Sequence, residues 1–145
     1  MPQRLDDESG QTTVLILGVL AIVLMLSAVI VGATTVNLAA RQVLAEADGA
    51  ASAAAHAAQS GGVGPSGLPR ADSGRVAEAV ADHLQNSDAH SRHENLAVIR
   101  AWASPTGQTV HVELGATAEL PVLSWVLPAE VEVSGASHAR VTVHR

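Results

Sequence analysis

From Ser9 to Ala40 the chain carries no charged residue, and within that window Val14 to Ala33 reads VLILGVLAIVLMLSAVIVGA. Such a run makes a helix about 30 Å long, the thickness of a bilayer's hydrocarbon core. In lipid every backbone polar group must be satisfied within the segment, so a helix is the only single-pass solution. The expectation is a transmembrane helix over 14–36, preceded by a cytoplasmic tail over 1–13. A buried core helix is the first competing reading, but apolar residues cover all faces of this run, where a surface-packed helix shows one stripe. A cleavable signal peptide is the second. Those begin basic and carry an apolar run of about 7–15 residues, whereas MPQRLDDESG sets Arg4 against Asp6, Asp7 and Glu8.

Charge says little about orientation, because Arg4 flanks one side and Arg41 the other. The short tail favours a cytoplasmic N-terminus, with the remainder extracytoplasmic, in the cell membrane. Ala28 and Gly32 form a small-xxx-small pair at which another helix could approach closely.

The helical pattern continues past the span. Residues Val36 to Gln59 contain one Gly and no Pro, and Ala is the strongest helix former. Val36, Ala40, Val43, Ala47, Ala51, Ala54 and Ala58 recur at steps of three and four and form one narrow seam. That seam has two readings: a packing surface, or Ala-rich helix propensity needing no partner. Arg41, Glu46 and Asp48 put this half in water or protein, not lipid. Span and extension (37–59) together would make a rod of about 45 residues, near 70 Å if unbroken.

A Gly/Pro/Ser linker follows over 60–71, with SGGVGPSGLP at its heart. It lacks the Gly-Lys-Ser/Thr ending and the preceding strand of a phosphate loop. The expected outer domain is 72–145, small and α+β. Asp72 or Ser73 can cap a short helix with Val76, Ala77, Val80, Ala81 and Leu84 on one face. Gln85 to Glu94 reads as polar loop. Strands are expected from Leu96, from Val110 to Leu120, and from Val131 to Val143; Pro105, Thr106 and Gly107 supply the first turn. In the second strand Val110, Val112, Leu114, Ala116, Ala118 and Leu120 alternate with polar positions, so one face is buried and one is wet. Gly135 falls on the apolar face of the third and predicts a bulge or a close contact. Pro121 to Pro128, PVLSWVLP, reads as a plug at the end of the sheet, or as a place where Trp125 rests on a membrane surface. Three antiparallel strands with one apolar face need a cover, and the Ala seam and the short helix both offer one.

Several functions are excluded or disfavoured by residue content. A net charge of -6 leaves no basic track for a phosphate backbone, so no nucleic-acid partner is expected. The absence of Cys removes disulfides and thiolate metal sites. No Gly-x-Ser-x-Gly or Ser-x-x-Lys is present, and the carboxylates show no matched acid/base pair. An enzyme, a cofactor, a metal and a small-molecule substrate are therefore not expected. His83, His90 and His93, near Asp82, Asp88 and Glu94, are the one grouping that could draw a metal, and a solvated surface cluster accounts for them without strain and is the preferred reading.

The N-terminal third resembles the TadE/TadG-like proteins of Tad/Flp pilus assembly. The residues concerned are Gly10 and Gln11 at the junction, the apolar span, Arg41-Gln42, and Ala47-Asp48-Gly49-Ala50-Ala51. The Val-rich strand, the Pro-bracketed segment and the closing HARVTV are similar to the pseudopilin pattern of the same family. The resemblance implies a long N-terminal helix continuing into a pilin-like domain with a three-stranded antiparallel sheet. It also implies a membrane-anchored subunit of a pilus or related secretion apparatus in a bacterial envelope, acting by packing against other subunits, among them a homologous pseudopilin. Prepilin-like members are cut after Gly and carry Glu five residues beyond; here Leu15 holds that place, which matches the TadG-like branch that keeps its anchor. Two other readings stand beside it: a generic anchored envelope interaction domain, and a membrane-tethered metal-binding or hydrolytic domain.

Overall fold

The computed structural model describes residues 7–61, 69–120 and 130–141. Within them the chain order is α1 (Asp7–Ser60), α2 (Ser73–Asn86), α3 (Ala89–Arg92), β1 (Glu94–Ala103), β2 (Thr109–Glu119) and β3 (Glu130–Arg140). The expectations for residues 1–6, for residues 62–68 of the linker, for Pro121–Pro128 with Trp125, and for Val143 lie outside the described residues, while Ser60, expected to open the linker, closes α1 instead.

Span and extension form one helix of 54 residues, about 80 Å long. It is longer than expected because no breaker separates Asp7 from the apolar run. No proline interrupts it, so the change of environment along it needs no change of backbone. The helix ends at Ser60, whose hydroxyl turns back to the Ala57 carbonyl at 3.1 Å. Arg75 of α2 donates to the Gly61 carbonyl just beyond, a cation where the helix dipole is negative.

Asp72 caps α2 by accepting from the Gly74 and Arg75 amides. Val76, Val80 and Leu84 are its buried line. Ala77 and Ala81, expected on the same face, are exposed; Ala79 and His83 are half-buried in their place. The buried line follows the i, i+4, i+8 row, and Ala77 and Ala81 lie one residue round from it. The segment expected to be loop after Gln85 contains the single turn α3, entered through Asp88 at φ 51° and seated by the buried Ala89.

The three strands make an antiparallel meander in the order β1-β2-β3. β2 and β3 pair without interruption from Thr109↔Arg140 to Glu119↔Glu130. β1 begins two residues before the expected Leu96, and its register with β2 shifts between Glu94 and Ala97 and between Val98 and Arg100. The turn from β1 to β2 uses Gly107 at φ 69°, a left-handed conformation that a side chain would strain.

One face of the sheet carries the core. Val110, Val112, Leu114, Ala116 and Ala118 of β2 are all buried, as period two predicted. The outer half of α1 lies over β2 and β3, and α2 lies over β1. Gly135 is the point of closest approach: a Cβ there would stand 2.7 Å from Leu44 Cα. The close contact is thus the correct one of the two readings of that glycine, and the sheet's register shifts lie on β1 instead.

Candidate interaction surfaces

α1 presents two surfaces in succession. Its inner half is long and apolar enough to cross a membrane, with a mean hydropathy of 3.2 over its best window and none of that window buried. A core helix of this domain would be covered by it; this one is not. Leu17, Leu20, Val23, Leu24 and Ile30 each keep more than half of their surface exposed. Ser27, Thr34 and Thr35 turn their hydroxyls back to the carbonyls four residues earlier, so the polar groups of the span are satisfied within the helix. Gly10 and Gln11, the junction of the resemblance, are helical. Ala28 is half-buried and Gly32 buried.

The outer half presents the seam. Val43, Ala47, Ala51, Ala54 and Ala58 are between 0 and 5 % exposed, and Val36 and Ala40 are half-buried against the same cluster. Ala50 and Ala55 are buried as well, so the stripe is wider than the seven seam positions. The sheet and α2 of the same chain cover it, which decides between a packing surface and bare propensity. Methyl side chains let the strands approach the helix backbone, which is why Gly135 can touch Val43 and Leu44.

Polar ties fix the helix in this seat. Asp48 accepts from the Ser137 hydroxyl on β3. Arg92 of α3 pairs with Glu46 at 2.7 Å, and His93 Nε2 stands 3.8 Å from the same carboxylate. A Cβ on Gly49 would meet His83 Nε2 at 3.0 Å, so this glycine gives α2 its place beside α1. Of the family-motif positions, Ala47, Ala50 and Ala51 are core and Asp48 is a tie to β3, while Arg41 and Gln42 are exposed. None of these contacts is visible in the sequence, because each joins residues dozens of positions apart.

The outer sheet face carries a ladder that sequence reading also missed. Trp102, His111 and His138 stand in register on the three strands. The first two rings stack at 4.9 Å and 11°, and the two imidazoles at 5.9 Å and 29°. Arg100 lies over the Trp102 ring, 4.9 Å from its centroid. Period two had put His111 and His138 on the wet face; only the register between strands lines them up. Further along the same face, Ile99, Gly115, Thr117, Glu132 and Ser134 surround an open depression of about 470 Å³. His83, His90 and His93 do not converge: His83 faces α1 and His93 faces Glu46, and among the described residues no group of three or more His, Asp or Glu side chains could hold a metal ion.

Comparison of the chain with protein families, with curated proteins and with solved structures finds no match.

Proposed function

We propose that this chain is a non-enzymatic, membrane-anchored, pseudopilin-like subunit of a Tad/Flp pilus assembly or related secretion apparatus. In this reading its N-terminus is cytoplasmic, its sheet domain is extracytoplasmic, and it works by packing against other envelope subunits. The observation that carries the reading is α1 itself, one unbroken helix whose most apolar window is unburied and whose outer half is the spine of a small sheet domain. A helix with its outer half already filled can offer neighbours only its membrane half and the outer surfaces of the domain. Packing of span against span, aided by the small residues Ala28 and Gly32, is the consequence. The Arg41-Gln42 step and the Ala47-Asp48-Gly49-Ala50-Ala51 motif support the family assignment by resemblance.

Affinity purification of the full chain from its native membranes tests the proposal. Co-recovery of pilus-assembly proteins is expected, and their reproducible absence would remove the assignment. Intact mass of the mature protein tests the branch: an unprocessed N-terminus is expected, and loss of residues 1–10 would move the chain to the processed, prepilin-like members.

A further inference from the structure

We infer that the β2–β3 end of the sheet is seated in the lipid headgroup layer, giving the domain a second contact with the bilayer besides its anchor. The inference rests on the membrane insertion of α1 within the function proposed above.

β3 runs alongside α1 in the same direction. Gly135 touches Val43 and Leu44, and two residues on, Ser137 bonds Asp48. Two residues of strand rise about 6.6 Å and four residues of helix about 6 Å, so the two elements advance in step. Glu130 stands five residues before Gly135, about 16 Å nearer the anchor, which is about eleven residues of helix. That brings Glu130 to the level of Ala33, the last residue of the apolar run. The cleft beside Leu120 lies at the same level. Leu120, just past the end of β2, lines a mostly apolar open cleft of about 600 Å³ together with Val29, Gly32, Ala33, Val36, Asn37 and Ala40.

The chemistry at that level brackets the depth. Leu120 gains by entering the interface, whereas Glu119 and Glu130, directly opposed in the β2–β3 register and both exposed, cannot enter hydrocarbon cheaply. Leu is favoured on the apolar side of the interface, whereas an acidic side chain is strongly disfavoured in hydrocarbon. The end of the sheet therefore stops among the headgroups. The opposite end stands clear: Arg140 is ten residues further along β3, about 33 Å away, beside Thr109 and the turn at Thr106. The Trp102–His111–His138 ladder is thereby held up and away from the membrane, where another subunit can reach it.

The absence of Cys makes the test direct. Single variants Leu24→Cys, Leu120→Cys, Glu130→Cys and Thr106→Cys of the full chain are labelled with a small fluorophore. They are reconstituted in phosphatidylcholine vesicles containing lipid nitroxide-labelled at the headgroup or deep in the acyl chain. The Leu24 label should be quenched most by the deep nitroxide. The Leu120 and Glu130 labels should be quenched severalfold more by the headgroup nitroxide than the Thr106 label, which should match lipid without nitroxide. If the Leu120 and Glu130 labels behave like Thr106 while Leu24 is quenched, the seat is overturned and the anchor stands. If they respond most to the deep nitroxide, the headgroup placement is overturned. If Leu24 is not quenched either, the anchor reading itself fails. Glu130 is exposed and outside the core, so its variant gives a readout that does not depend on Leu120→Cys folding well.

Discussion

The two halves of α1 share one backbone and have opposite surfaces. From Val14 to Val31 the large apolar side chains are 45 to 72 % exposed; from Val43 to Ala58 the seam of mostly alanine is 5 % exposed or less. The most hydrophobic part of the chain is thus its least buried, and the core is built on its weakest hydrophobe. Hydrophobicity alone does not assign burial; the available partner does. Lipid can solvate Leu, Ile and Val on every side of a helix. A three-stranded sheet can cover only one stripe, and small side chains let it come near enough to bond Asp48 with Ser137.

Substitutions in the two halves should therefore separate by size of effect, read as the urea midpoint of the full chain in mild detergent micelles. Ala47→Glu comes first. It puts a carboxylate with no partner into the seam, where the expected loss is about 4 kcal/mol or failure of the domain to fold; protection of β2 amides from exchange should vanish with it. If the domain survives unchanged, the seam is not its core. Gly135→Ala is next. Its methyl would press on backbone atoms of α1, which cannot rotate away, so a loss of about 2 kcal/mol is expected, against near-neutrality for Ser134→Ala on the other face. Asp48→Ala removes one exposed charge-assisted bond and should cost about 1 kcal/mol. A double cycle with Ser137→Ala measures that coupling, and complete additivity would dismiss the bond. Leu20→Ala should shift the domain by less than about 0.5 kcal/mol, since the side chain touches lipid or detergent and no part of the core. A large shift there would erase the contrast between the halves and show that the span packs on the domain.

Legibility differed in the same way. Local patterns announced a helix long and apolar enough to cross a membrane and the period-two strand beginning at Val110, narrowed the α2 cap to Asp72 or Ser73, and marked Gly135 as a bulge or a close contact. The same patterns misplaced Ala77 and Ala81 on the buried face of α2, where Ala79 and His83 are half-buried instead, and missed the single turn α3. The interaction surfaces were harder to read. His111 and His138 fall on the wet faces of their strands, and Glu46 reads only as one of the charges that keep the outer half of α1 out of lipid.

By itself the sequence determined the long helix, the three strands and which run is apolar and long enough to cross a membrane, because propensity, periodicity and the uncharged length of a run are properties of neighbours along the chain. Only the tertiary structure decided what the seam packs against, which residues meet across strands, and how near the sheet stands to the anchor. Those depend on register and on the approach of α1 to β3, and a single missing side chain at Gly135 fixes that approach.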